Sequence, residues 1–394
     1  MATMHLSRSI VLFGVALSAL ALVIGCGGGG GGSSSGSGSS SGTGGTVSFS
    51  KLALIDSEAD SDTTFPDGIG ADGKIALYTP LSTTGYGGTL TTAGRTYTVP
   101  ASLYVLGVFG TSLIMTFSSS TTPSSDMTVL AHLNTANSTI VTDKTFTGCS
   151  SYVINADGTT ENEYDDSNFN LIKLTIVSPT GVETPLPVPD PAFLPEAVAT
   201  GYIAGEVESS SSTSAKISRQ IERRLQARKR TSRSHRRSKG VGRSLASGSY
   251  LVSQTATVAL QIPSADSSGS SYVVAVNKSG VTVGGIYNLG TDGSTQLSLT
   301  WSRTGVATLL PDALSGYPNS ETWDINDNGI IVGDVESSDY STTEGVVWQS
   351  GKIQPASAFI SPATNYGAFT YIDDQLRVGG DNTAQTEAYL LQGS

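Results

Sequence analysis

The stretch from Trp323 to Pro355 constrains the fold more than any other, because its pattern returns along the chain at a nearly fixed interval. Trp323 to Ile325 alternates as a strand does. Asn326-Asp327-Asn328-Gly329 is turn chemistry, since Asn, Asp and Gly tolerate a positive φ that strains other residues. Ile330 to Val335 reads as a second strand, with Gly333 allowing a neighbouring backbone to come close. After a polar loop, Gly345 to Trp348 is a third strand, Ser350-Gly351 a tight turn and Lys352 to Pro355 a fourth. A chain assembled from such units is a series of small antiparallel sheets.

Copies of the unit can be aligned directly. Gly201 to Ser210 (GYIAGEVESS) matches Gly329 to Ser338 (GIIVGDVESS) at seven of ten positions, and Val177 to Pro187 matches Trp301 to Pro311 at seven of eleven. The turn and strand recur from Val276 to Gly284 and, in weaker form, from Ile372 to Gly379. From Gly284 to Gly333 is 49 residues and from Gly333 to Gly379 is 46. Seven units follow from their turn glycines: Gly73, Gly110, Gly158, Gly201, Gly280 and Gly329, with Gln375 in the glycine's place in the seventh. The unit from Val108 to Phe117 keeps the strand but lacks the Asn-x-x-Gly turn.

Two irregularities define the architecture. The fourth unit is stretched: from Gly205 to a third strand placed at Leu260 is 55 residues, against 17 from Gly284 to Trp301, so an insertion spans about 209–248. The last unit stops at Tyr389 to Ser394, where its fourth strand is due, while Thr46 to Ile55 is a strand pattern with no unit of its own. Four strands in about 45 residues is the size of one propeller blade. The expectation is therefore an all-β domain over 47–394, a β-propeller of seven four-stranded blades. Its ring is closed by the N-terminal strand, which covers two open sheet edges. Six blades or a stacked β-array are the alternatives.

The amino terminus carries a different message. Residues 1–25 contain Arg8 and then an apolar, uncharged run from Ile10 to Ile24, the form of a secretory signal peptide. The run ends in Val23-Ile24-Gly25-Cys26, which resembles the lipobox of bacterial lipoproteins and implies a lipidated Cys26 at the start of the mature chain. Residues 26–46 continue almost wholly as Gly and Ser, a flexible tether reaching on the order of 25 Å. The expected location is exported and lipid-anchored at the bacterial cell surface or outer membrane, with the membrane as partner through Cys26.

Catalytic and metal signals are sparse. Beyond Cys26 there is one cysteine, Cys149, expected to be a small buried residue without reactivity. His132 and His235 are the histidines beyond the leader, and no nucleophile elbow, zinc motif or phosphate loop is present, so no cofactor is expected. Asp324-x-Asn326-x-Asn328-Gly329 fits the first half of an EF-hand loop, but Val335 stands at position twelve; a plain hairpin turn competes with calcium there. Trp301 and Trp348 read as blade core, with a sugar platform as the alternative. Asp165-Asp166 and the run Asp56, Glu58, Asp60, Asp62 read as solvated loops.

Charge is concentrated in the insertion. Twelve of the chain's 22 Lys and Arg lie between Ala215 and Arg243, against Glu222 alone, in a chain of formal net charge −11. Arg219, Arg223, Arg224, Arg228, Lys229, Arg230, Arg233, Arg236 and Arg237 form a candidate site for anionic lipid, lipopolysaccharide or an acidic protein surface. The segment has no aromatic residue to stack on bases, and sequence-specific nucleic-acid binding is not expected. A passive, solvated loop is the competing reading.

The repeat resembles the HAF-type extracellular repeat family, whose units read Ile-Asn-x-x-Gly-x-x-Val-Gly followed by an aromatic strand ending in Trp. The likeness covers Tyr272 to Gly351 and, less fully, Tyr152 to Ser210; the family's His-Ala-Phe triplet is absent. The resemblance implies architecture and an exported location, not a reaction. Three functions are compatible: a non-catalytic binding or scaffold ectodomain, a polysaccharide-acting enzyme with its site at the propeller mouth, and a structural array displaying the basic arm. Acidic residues clustered at the mouth favour the enzyme, and a basic or apolar rim favours the binder.

Overall fold

The computed structural model describes residues 50–59, 65–81, 86–119, 122–208, 246–263, 270–289, 295–311, 314–338, 341–360, 366–382 and 387–394. Among them the regular structure is β-strand with short 3₁₀ turns. The chain folds as antiparallel meanders, all but the last made wholly from strands consecutive in sequence. The first is β2 (Phe65–Gly70), β3 (Ile75–Pro80), β4 (Gly88–Thr92) and β5 (Arg95–Val99); the second is β6 (Tyr104–Gly110), β7 (Ser112–Phe117), β8 (Met127–Asn134) and β9 (Thr139–Thr147). Parallel pairing of β2 with β6, Gly68 opposite Val108 and Gly70 opposite Gly110, joins these two into one eight-stranded sheet.

The third meander has three strands, β10 (Thr160–Asp165), β11 (Leu171–Val177) and β12 (Glu183–Leu186). Isolated bridges from Ser150 to Glu163 and from Ile154 to Thr160 stand where its first strand would lie. Then follow a fourth, β13 (Phe193–Ala199), β14 (Tyr202–Glu208), β15 (Ala246–Val252) and β16 (Thr257–Ala259), and a fifth, β17 (Ser270–Val276), β18 (Thr282–Leu289), β19 (Thr295–Trp301) and β20 (Ala307–Leu309). The sixth is β21 (Asn319–Ile325), β22 (Ile331–Glu336), β23 (Thr343–Gln349) and β24 (Lys352–Pro355). The last contains β25 (Tyr366–Ile372), β26 (Arg377–Asn382) and β27 (Glu387–Gly393), and its fourth strand is β1 (Leu52–Ala59). β1 runs antiparallel to β27 with Leu52 opposite Gly393 and Ala59 opposite Glu387. Ser50 N–H donates to the Ser394 carbonyl at 2.9 Å and Leu52 N–H to Phe359 at 3.0 Å.

A four-stranded sheet cannot bury both faces alone, and here the apolar faces are shared between neighbours. Phe109 and Ile114 of the second meander pack with Ile154 and Val177 of the third; Leu174 and Ile176 of the third pack with Phe193 and Ile203 of the fourth. The series continues through Leu251 with Ile286 and Trp301, then Val283 with Val346 and Trp348, then Val332 and Val347 with Phe369 and Leu391. One further cluster brings Ile69 and Ile75 of the first meander against Tyr371 and Leu390 of the last. Both aligned tryptophans are core, 0% and 2% exposed, as the blade-core reading expects. Each also reaches back to the preceding meander: Trp301 Nε1–H donates to the Gln261 carbonyl and Trp348 Nε1–H to the Pro311 carbonyl, both at 2.7 Å.

The turns repeat as faithfully as the strands. All six expected turn glycines adopt a positive φ. In the third and fifth meanders the aligned turns at Ser178 and Ser302 make the same bonds, Ser178 N–H to Val182 and Ser302 N–H to Val306, both at 3.0 Å. Two expectations need correction. In the last meander the glycine's place is taken by Leu376 (φ 62°), not Gln375, so the register moves by one and Gly380, not Gly379, takes the position of Gly284 and Gly333 against a carbonyl of the first strand. In the fourth, Leu260 lies beyond β16; the third strand is β15, which begins at Ala246 inside the span assigned to the insertion. Residues 209–245 lie outside the described residues.

Candidate functional site

The first strands of the fourth to last meanders share one irregularity. Each carries a β-bulge, between Pro195 and Ala197, Val273 and Ala275, Thr322 and Asp324, and Phe369 and Tyr371. A bulge sets one extra residue into the strand and re-aims its side chain. The four bulged residues, Glu196, Val274, Trp323 and Thr370, all line a cavity of about 100 Å³. Val153, Ile154 and Ala156 of the third meander, with Ala197, Val198, Ala275 and Val276, make the rest of its wall largely apolar.

A bulge also frees backbone N–H groups, which are costly to bury unpaired. Carboxylates accept backbone N–H groups near the bulges, and in the segment before β10 as well. Ile372 N–H donates to Asp324 Oδ2 at 2.9 Å, and Ile325 N–H to Asp324 Oδ1 at 2.8 Å. Val273 N–H donates to Glu206 Oε1 at 3.3 Å. In the third meander the Glu161 carboxylate accepts from Tyr152 at 2.7 Å and from Val153 at 3.0 Å. Trp323 Nε1–H donates to Asp334 Oδ1. Burial pushes the Asp324 carboxyl up to about 7; the two backbone donors oppose this, and the charges of Asp373 and Asp374 add to it.

The turns that follow these strands form a rim above the cavity. Asn277 Nδ2 donates to the Asn326 carbonyl at 3.2 Å, and Asn326 Nδ2 to the Asp373 carbonyl at 3.1 Å. Lys278 N–H donates to Asp327 Oδ1 at 2.9 Å, and Asp327 N–H to Asp374 Oδ1 at 2.8 Å. Each turn therefore holds the next. A second hollow at this rim is lined by Asp157, Asp327, Asp373 and Asp374, and it shares Asn155 and Ala156 with the cavity below. Lys278 Nζ lies 2.9 Å from Asp327 Oδ2. Burial and a hydrogen bond to Asp327 raise Asp374 to about 6; Asp327, although also partly buried, is held below the usual range by bonds from Asp374 and Lys278.

Several residues singled out in the sequence have structural duties. Asn326 Oδ1 accepts from Asn328 N–H at 3.1 Å and Ile330 N–H at 3.0 Å, and Asp324 accepts the donors given above. The Asn326 oxygen closes the hairpin, as the turn reading of this loop expects, while Asp324 Oδ2 reaches the next meander. Asp56 is not in a loop: it lies in β1 and accepts Ile75 N–H at 3.1 Å. Asp166 caps a turn, with Asn168 N–H at 2.7 Å, and Asp165 ends β10. His132 in β8 pairs with Asp143 at 2.7 Å on a half-exposed face. Cys149 is buried, and burial pushes its thiol up to about 11. Cys26, Asp60, Asp62 and the basic residues Arg219 to Arg237 lie outside the described residues.

The sequence reading missed Glu196 and the acceptor role of Asp324. The bulges that place them leave no compositional trace, and the strands around them carry Glu, Val, Trp and Thr at the same position.

No protein-family model matches the sequence, and no curated protein matches it. Solved structures of similar shape include the β-propeller domain of the Trilobed protease from Pyrococcus furiosus, at TM-score 0.43 and 8% identity over 88% of this chain and 95% of that one. The WD40 domain of Toxoplasma gondii coronin gives 0.42 and 10% over 88% and 87%, and the Dos1 propeller 0.42 and 9% over 87% and 81%.

Proposed function

We propose that the meanders are the blades of a seven-bladed β-propeller closed by β1, and that this domain is a non-catalytic binding module on an exported lipoprotein. One observation supports the binding reading above others: bulged residues from four first strands converge on a single cavity beneath a rim of linked turns. The shared apolar clusters, including the one between the first and last meanders, support the ring. The anchor rests on sequence, through Cys26 and its Gly/Ser tether. The basic segment adds an electrostatic contact to anionic lipid or lipopolysaccharide. In a bacterial host, a labelled fatty acid is expected to mark the protein and Cys26→Ser to abolish the mark. Label that survives the substitution overturns the anchor.

A second reading, a polysaccharide-acting enzyme, is favoured by the acidic rim. Asp327 and Asp374 are two carboxylates whose affinities for a proton are pushed apart, as an acid and a base require. Against it, both are occupied in tying one turn to the next. If they are catalytic, envelope polysaccharide is hydrolysed by the wild type and Asp374→Asn loses at least a hundredfold in rate. No hydrolysis by the wild type leaves the binding module.

A further inference from the structure

We infer that the cavity beneath the rim is a binding site for a small organic ammonium ion. This rests on the cavity being the ligand site and names the ligand's class. The first argument is charge. Among the described residues, cavity and rim together are lined by six carboxylates, Asp157, Glu196, Asp324, Asp327, Asp373 and Asp374, and by no Lys, Arg or His. The neighbouring cations are already engaged: Lys278 with Asp327 at 2.9 Å, and Arg377 with Asp373 at 2.7 Å. A low-dielectric recess with carboxylates of one sign focuses a negative potential and concentrates cations.

The second argument is the chemistry of the wall, which separates an organic cation from a metal ion. A divalent ion needs six or more oxygen ligands converging on one point. Here the described residues contain no group of acidic, His or Cys side chains placed to hold a metal. Instead Asp324 shares the cavity wall with the apolar side chains of Val153, Val274 and Ala275, and with Trp323, its neighbour in sequence. A carboxylate offers about four acceptor directions. Two of Asp324's are taken by backbone donors, which leaves acceptor capacity for an ammonium N–H. Aliphatic walls fit the alkyl part, and an indole attracts the cationic head. The cavity's volume of about 100 Å³ suits a head group with a few carbons.

The test uses the full chain with n-butylammonium and tetramethylammonium chloride as probes. Sodium butyrate and n-butanol are the anionic and neutral matches, and calcium chloride is the metal control. Binding is followed by calorimetry and by tryptophan emission at constant ionic strength. The expected result is saturable binding of the ammonium ions alone, weakened at least tenfold by Asp324→Asn. Val274→Leu, which narrows the cavity and touches no hydrogen bond, weakens it as well, and unchanged urea midpoints show that both variants fold. Equal binding of butanol overturns the charge assignment but leaves the cavity a ligand site. Calcium in place of ammonium, or binding unweakened in Asp324→Asn, overturns the proposal. No binding of any probe overturns it together with the reading of the cavity as a binding site.

Discussion

Gly333→Ala is expected to destabilise the protein by about 4 kcal/mol or more, at the extreme of single substitutions. β21 and β22 pass each other closely beside the bulge at Trp323. A Cβ at Gly333 would lie 2.0 Å from the Glu321 carbonyl oxygen and 2.9 Å from Trp348 Cζ3. Neither neighbour can yield cheaply: the first is backbone, and the second is a ring fixed by its bond to Pro311. The same crowding recurs at Gly205, Gly284 and Gly380, where the added atom would be 2.1, 2.0 and 1.9 Å from a carbonyl oxygen of the first strand. Gly329→Asn is the matched control. Its φ of +77° suits Asn, nothing lies within 4 Å, and the expected cost is about 1 kcal/mol or less. Urea midpoints of the two variants and the wild type measure the contrast, and a Gly333→Ala midpoint near that of the control would show that the strands relax apart.

Removal of residues 1–59 is expected to turn the folded domain into aggregate. β27 would then present a free edge of Ala388, Tyr389, Leu390 and Leu391, all buried in the intact protein. A long apolar edge is a template for pairing with other chains. Leu52, 2% exposed in the cluster with Phe369 and Leu391, would leave a void as well. Size-exclusion chromatography is expected to show aggregate, and a peptide of residues 46–59 added during refolding to restore monomer. The point variant Leu52→Asp puts an unpaired charge in the same place and is expected to cost about 3 kcal/mol or more while leaving the strand. A stable monomer from the truncated chain would show that the last sheet does not need its N-terminal strand.

How much of this could be read from the residues depends on how local the cause is. Turn chemistry is local, so Gly280 and Gly329 announced their positive φ, and Lys352–Pro355 emerged as the fourth strand that was expected. Leu376 defeated that logic, because a residue that pays for its φ of 62° looks like any other leucine, and the register slipped to Gln375. β15 was lost for another reason. Its Ala-Ser-Gly-Ser-Tyr start has the composition of the insertion before it, and its identity comes from pairing with β14. The site is the least local feature of all. Asp324 attracted notice as a candidate calcium ligand, yet one of its two partners is the Ile372 amide, 48 residues away in the next meander. Nothing in either segment reports that neighbour.

The joining of β1 to β27 also sets the order in which the fold can be completed. Each of the other sheets is assembled from strands consecutive in sequence and can form as a local event, whereas Ser50 and Ser394 meet across 344 residues. Bringing such distant ends together costs about 5 kcal/mol of chain entropy if nothing between them is yet ordered, and far less once the intervening sheets are built. The final sheet is therefore a late event that waits for the sheets between its two ends. Until then β1 and β27 each hold an unsatisfied edge, so the intermediate that precedes their pairing is the one most exposed to pairing with other chains.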